Sequence, residues 1–261
     1  MKGMRRVKIL VLALVALMIS AGSLYAEEPK VTGYGSVDVM SNYVWRGQKL
    51  SNSWVVQPSL GITYGSFGAN IWANYDSDKV ELKSDGTTTE EEHGEVTETD
   101  FTLSYTKSFG KLTLGGGYIY YAFDGGNDTQ EVYVSASYDT LLKPTIAVYY
   151  DYDEGDGAFV IASIGHSFPI SKMTLNLGAS ASYNIRNEVM GFDEDGDEFS
   201  DFYNGEVSAS LNIPVYKSLV ITPKIAYSFA LSDDAEAAIS RISNDNRRDI
   251  VYGGINLTLS F

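Results

Sequence analysis

The chain contains no cysteine among its 261 residues. Disulfide bonds, thiolate nucleophiles and cysteine-held metals are therefore excluded. Histidine is almost as scarce, with His93 and His166 alone. His93 falls in an acidic stretch. His166 is followed by Ser167, which strand alternation points to the opposite face, so the two cannot readily form a nucleophile–base pair. No phosphate loop, metal triad or nucleotide fingerprint is present, and neither an enzyme activity nor a cofactor is expected. Positive charge is also short: 19 Lys and Arg stand against 34 Asp and Glu, a formal charge of −15. So acidic a chain does not bind nucleic acid nonspecifically. Beyond residue 26 there is no long apolar run, although hydrophobic residues make up 44% of the sequence.

The one apolar run stands at the beginning. Lys2, Arg5, Arg6 and Lys8 precede Ile9 to Ile19, mostly Leu, Val and Ala. This is about half the roughly 20 residues a spanning helix needs. Small residues follow, and residues 1–26 read as a secretory signal peptide cleaved after Ala26, or after Ser23 behind Ala21. Its removal takes the formal charge to about −19. Residues 27–261 then form one domain.

What fills that domain is alternation. In Val251–Phe261, Val251, Gly253, Ile255, Leu257, Leu259 and Phe261 share one face, and Tyr252, Gly254, Asn256, Thr258 and Ser260 the other. A period of two marks a strand with one apolar and one polar side. Taken alone, this segment fits a soluble sheet as well as a membrane barrel. Twelve such strands are expected, at 31–46, 53–64, 67–76, 97–107, 111–122, 130–139, 143–152, 158–168, 172–186, 202–213, 217–231 and 249–261. The connections alternate between short turns (65–66, 108–110, 140–142, 169–171 and 214–216) and longer, acidic loops near 77–96, 187–201 and 232–248. Short turns at one end and long loops at the other are the pattern of an outer-membrane barrel. The fold expected is all-β: a transmembrane antiparallel up-and-down β-barrel of about 12 strands, with both termini periplasmic. Outward aromatics mark two belts, Tyr43, Trp45, Trp54, Tyr75, Tyr120, Tyr152, Tyr183, Tyr203 and Phe229 near the long loops, and Tyr64, Phe67, Tyr105, Tyr138, Phe168 and Phe261 near the short turns. Pro58, Pro144 and Pro223 fit poorly inside strands. Pro144 can open its strand, whereas Pro58 and Pro223 call for bulges or shifted boundaries.

The inward face is small and polar, interrupted by Asp38, Arg46, Asp76, Asp100, Asp151, Glu206 and Lys224, and narrowed by Trp72, Tyr149 and Tyr252. A three-residue turn at 214–216 would set Glu206 opposite Lys224, as a wall-holding pair or a functional one. Arg46 would line a constriction or pair with Asp76 or Asp249. Twelve strands lie between filled eight-stranded barrels and open sixteen-stranded porins, so a small or partly obstructed pore is expected.

Ser41-Asn-Tyr-Val-Trp-Arg-Gly47 resembles the S-x-Y-x-[F/W]-R-G signature of the TorF-like family of outer-membrane porins. Phe67-Gly-Ala-Asn-Ile-Trp-Ala-Asn74 resembles the family's following G-x-x-x-W-x-x-N segment. The likeness covers about fifty residues and implies a porin-like role without naming a solute. Within it, Tyr43 and Trp45 are expected at the lipid interface, Arg46 in the lumen and Gly47 at a turn.

Two functions follow: a passive channel for small hydrophilic solutes, or a non-transporting barrel working through acidic surface loops in adhesion or envelope contacts. Acidic loops would make the outer mouth negative and favour cations. Asp193, Asp195 and Asp197 hint at calcium, but glycine falls at the fourth position of the run and Asn204 at the twelfth, unlike an EF-hand. Bridging of divalent cations between these loops and lipopolysaccharide is the looser alternative. The partners expected are outer-membrane lipids and lipopolysaccharide, small solutes, and the barrel-assembly machinery, with Phe261 as its signal. Deleting Phe261 is expected to lower the folded yield in outer-membrane fractions more than the conductance of barrels that do assemble. Normal yield would contradict the barrel reading.

Overall fold

Strands with one apolar and one polar face leave two unpaired edges unless the first pairs with the last. In the computed structural model, which describes residues 30–77, 80–82, 88–90, 94–243 and 245–261, that closure is made. The strands in chain order are β1 (Val31–Met40), β2 (Val44–Trp45), β3 (Gln48–Lys49), β4 (Val55–Tyr64), β5 (Phe67–Asp76), β6 (Val80–Leu82), β7 (Thr88–Glu90), β8 (Glu95–Phe109), β9 (Leu112–Phe123), β10 (Thr129–Tyr138), β11 (Thr145–Asp151), β12 (Gly157–Ile170), β13 (Met173–Ile185), β14 (Phe202–Tyr216), β15 (Leu219–Ala230) and β16 (Ile250–Ser260). One α-helix, α1 (Asp233–Ile242), lies between β15 and β16. Twelve of these strands form a closed antiparallel barrel; β2–β3 and β6–β7 are separate short hairpins. The expected leader segment 1–26, His93 and part of the acidic run at 90–92 lie outside the described residues.

Closure is in register from Tyr34 opposite Ser260 to Met40 opposite Gly254. The backbones of Gly33 and Phe261 exchange hydrogen bonds of 2.7 and 2.9 Å beyond it. The Phe261 ring lies where a β-carbon on Gly33 would stand, at 2.5 Å. Alternation sets the two faces as expected. Leu60, Ile62, Ile71, Leu103, Ile146, Ile164, Leu257 and Leu259 are exposed on the outside.

Short turns gather at one end, at 65–66, 110–111, 139–144, 171–172 and 217–218. Gly65 has φ +61° and Ser66 a negative φ, the pattern of the two-residue type II′ hairpin. Three turns fall later than expected: Ser108 lies inside β8, Pro169 inside β12 and Pro214 inside β14. Pro58 and Pro223 cause no bulge. Each leaves a gap in one ladder, at 57–58 against β5 and at 222–223 against β14, while the register continues unchanged across it. The irregularities sit instead near Asn74/Tyr75, Ala181/Tyr183 and Pro214/Tyr216.

The long-loop end departs most from expectation. The first strand ends at Met40, not at residue 46. Residues 41–54 turn inward, and β2 and β3 form a hairpin across the lumen with Arg46 (φ +49°) and Gly47 (φ +85°) at its tip. Two positive-φ residues make a type I′ turn. Gly47 is needed twice over: its φ disfavours a side chain, and a β-carbon there would meet Asn204 Cβ at 2.9 Å. Tyr43, Trp45 and Tyr203, expected to face lipid, are packed inside. Once the chain leaves the wall, the strand's period no longer governs which way a side chain points.

The segment expected as an acidic loop at 232–248 carries α1. The Ser232 side chain accepts from the Ala235 amide at 3.2 Å. Asp233, Asp234 and Glu236 occupy the first turn and Arg241 the last, matching the helix dipole. Ala235, Ala238 and Ile239 are buried against Phe159, Met190, Phe199 and Tyr203. A second cluster, Met40, Tyr43 and Val55, lies beside it, and Trp45 packs against both. The apolar core thus sits inside the barrel, at its long-loop end. Ile239→Ala is expected to cost about 2–5 kcal/mol of local packing. Hydrogen exchange should show α1 losing protection while β12–β15 keep theirs.

Candidate functional site

The interior is built by the inward half of every wall strand and by the first loop. Asp38 (β1), Trp72 and Asp76 (β5), Asp100 (β8), Tyr149 and Asp151 (β11), Glu206 (β14), Lys224 (β15) and Tyr252 (β16) all come from the inner face of the wall. Arg46 comes from the hairpin tip.

Their pairing differs from expectation. The 214–216 turn is really 217–218, with a bulge at Tyr216, so Glu206 lies opposite Ser228 and Lys224 opposite Ser210. Lys224 Nζ instead meets Asp38 Oδ1 at 2.6 Å, and Asn256 donates to Asp38 Oδ2 at 3.0 Å. Glu206 accepts from the Tyr252 hydroxyl at 2.7 Å. Asp76 accepts from Ser53 Oγ at 2.7 Å, and Asp151 from Thr129 Oγ1 at 2.7 and 2.9 Å.

Arg46 pairs with neither Asp76 nor Asp249. It crosses the lumen to β10, where Nη1 and Nη2 each donate to one Glu131 oxygen at 2.7 Å. Both side chains are almost wholly buried, 6% and 1% exposed. The Tyr121 hydroxyl donates to Glu131 Oε2 at 2.8 Å. The guanidinium carbon lies 4.3 Å from the Trp45 ring centre and 4.7 Å from those of Tyr149 and Phe159. A buried ion pair holds only when geometry and further hydrogen bonds offset desolvation, and a bidentate pair flanked by aromatic faces meets that condition.

Glu131 was legible as an inward residue, since it shares a face with Tyr133, Ser135 and Ser137. Its role was not, because its partner lies 85 residues away. Glu98 is a second inward carboxylate missed by the same parity argument. It is buried beside Asp100 and hydrogen-bonded with Tyr43. Asp100 Oδ1 is buried without a hydrogen-bond partner among the described residues.

Two cavities lie on either side of the hairpin. The inner one, about 320 Å³, is lined by Met40, Gln57, Trp72, Asp100, Lys224 and Tyr252 among others. The outer one, about 380 Å³, is lined by Gln48, Glu98, Phe123, Val189, Phe192 and Ile242 among others. Tyr43 and Trp45 line both, and so form the partition.

The hairpin is tied down at its other strand. Lys49 Nζ meets Asp245 Oδ2 at 2.6 Å, and the Lys49 amide donates to Ser243 Oγ at 3.1 Å. Burial alone would raise the Asp245 carboxyl, but Lys49 and the Arg247 amide outweigh it and hold it below the usual carboxylate range. A depressed folded-state value means this tie is complete at neutral pH and is lost as pH falls through that value.

The Asp193–Asp197 loop is arranged for another purpose than an EF-hand. Asp193 Oδ1 accepts from the amides of Asp195 and Asp197 at 3.0 and 2.8 Å, and Arg241 donates to the carbonyls of Asp193 and Glu194. Among the described residues, no group of three or more His, Asp or Glu is placed to hold a metal ion.

A closed twelve-stranded barrel with an apolar exterior, a polar inner wall and a loop folded across its lumen is the class of protein these features define. No family model matches the chain, and no curated protein matches it. Among solved structures it is similar to a NanC porin (13% identity, TM-score 0.44, 89% of this chain and 99% of that one). It is also similar to an outer membrane channel from Pseudomonas putida F1 (10%, 0.47, 92% and 98%). A third is the translocator domain of the autotransporter NalP from Neisseria meningitidis (8%, 0.44, 100% and 97%). At these values the likeness is one of barrel architecture alone.

Removing one member of the lumen ion pair should strand the other. Glu131→Gln is expected to cost about 3–5 kcal/mol in denaturant unfolding of the refolded barrel. The double variant Arg46→Met, Glu131→Leu should recover most of that loss, because no unpaired charge remains.

Proposed function

We propose that the protein is an outer-membrane channel for passive diffusion of small hydrophilic solutes, with a preference for cations. The observation that carries this reading is the pair of cavities in series, parted by a hairpin rather than by the wall. The apolar outside suits a lipid solvent, and the closed ladder leaves no backbone edge to satisfy there. Short turns and both chain ends then lie on the periplasmic side, and the acidic loops face outward toward lipopolysaccharide, where divalent cations can bridge the two. The terminal Phe261 suits recognition by the assembly machinery. The TorF-like resemblance at Ser41–Gly47 adds a porin-like role for the same segment that forms the partition.

Cation preference rests on carboxylates. Glu98 lines the outer cavity and Asp100 the inner one, so acidic oxygens stand on both sides of the Tyr43–Trp45 partition. Lys224 is the one basic residue lining the inner cavity among the described residues, and Asp38 neutralises it.

A second reading is a closed barrel that works through its surface loops. The full burial of Phe159, Met190, Tyr203 and Ile239 across the long-loop end favours it.

Planar-bilayer recording of purified protein separates the two. Discrete open steps, with a reversal potential of cation sign across a salt gradient, are expected. Glu98→Gln combined with Asp100→Asn should move that potential toward zero. A folded but silent barrel would support the second reading, and a potential favouring chloride would remove the cation preference.

A further inference from the structure

The Arg46 guanidinium is held as a bound ligand would be. Its socket is built on four neighbouring wall strands, with Tyr121 on β9, Glu131 on β10, Tyr149 on β11 and Phe159 on β12. Tyr149 and Phe159 are directly paired in register, so their rings form one surface beneath the cation. Glu131 supplies two oxygens at the spacing of the guanidinium fork, and Tyr121 fixes one of them. None of these four belongs to the element that carries Arg46. The cation reaches them from a two-residue turn on a short hairpin, held at the opposite end by Lys49.

We propose that this socket is a guanidinium-binding site, occupied by Arg46 as a tethered ligand, and that solutes carrying a free guanidinium group are the class that exchanges with it. The chemistry is selective. An ammonium ion offers a point charge and cannot match the two parallel donors or lie flat on the rings. Exchange frees the hairpin from the far wall. Since the hairpin parts the two cavities, a solute that wins the socket also loosens the partition. Exchange as a route to opening rests on the channel reading; the existence of the socket does not.

The test uses the full-length barrel carrying Arg46→Ala. The truncation leaves the Glu131 carboxylate buried and unpaired, which lowers the thermal midpoint. Guanidinium chloride at concentrations far below denaturing is expected to restore the midpoint saturably, and methylguanidinium likewise, whereas equal sodium or ammonium chloride should not. Trp45 is dropped from the readout, so that the response reports the wall. Arg46→Met, which fills the socket with apolar atoms, should give no response. Should Arg46→Ala not assemble, Arg46→Lys keeps a cation in place without the fork, and guanidinium should still displace it and raise the midpoint. No saturable, guanidinium-specific recovery in either variant overturns the proposal. In the bilayer, Arg46→Ala is expected to conduct several-fold more than wild type, and guanidinium to raise the wild-type conductance toward that level. Thermal recovery with both proteins silent in the bilayer would keep the socket and defeat the channel reading.

Discussion

The structure depends on closure of the ladder between β1 and β16. An antiparallel sheet of twelve strands with apolar side chains on one face cannot leave two rows of backbone donors and acceptors open to a lipid solvent. Pairing Tyr34–Met40 with Gly254–Ser260 removes both rows and curls the polar faces inward. Once that is done, the inward residues of different strands face one another across a narrow space. The Lys224–Asp38 contact, and the reach of Arg46 to Glu131, exist only because the wall is a ring.

The ring creates a second demand. Twelve strands enclose more space than wall side chains alone fill. At the long-loop end the chain fills it with its own loops: the hairpin of residues 44–49, Met190 and Phe199 from the loop before β14, and α1. Their shared apolar cluster supplies burial that a barrel wall, apolar on its outside, does not provide for itself. The Arg46–Glu131 pair then fixes where the hairpin lands. Apolar packing is non-directional, whereas a bidentate pair ringed by Trp45, Tyr149 and Phe159 has one geometry. Packing keeps the mouth filled, and the ion pair sets the shape of the filling.

Much of the wall was legible in the sequence because strand period and turn chemistry are local. The strand at 67–76 falls where alternation put it, and most others lie within a few residues of expectation. Inward residues such as Trp72, Asp100 and Tyr252 follow from parity alone. What failed was whatever depended on exact turn length or on distance. A two-residue turn at 217–218 in place of three residues at 214–216 moved Lys224 four positions away from Glu206 in register. The segment 41–46 reads in sequence as the end of the first strand, so Tyr43 and Trp45 were expected outside, and no local signal marks the point where a chain leaves the wall. The helix α1 was legible after all. Ser232 followed by Asp233, Asp234 and Glu236, with apolar residues at 235, 238, 239 and 242, is a capped amphipathic helix, and the acidic composition of the stretch masked it.

In the channel reading, the hairpin crossing the lumen, and not the barrel wall, sets the constriction. Single-channel conductance of a variant in which residues 44–49 are replaced by a short glycine–serine turn tests this most directly. Open steps much larger than wild type, with cation preference retained through Glu98 and Asp100, are the predicted result. Steps equal to wild type would place the constriction elsewhere and contradict the account.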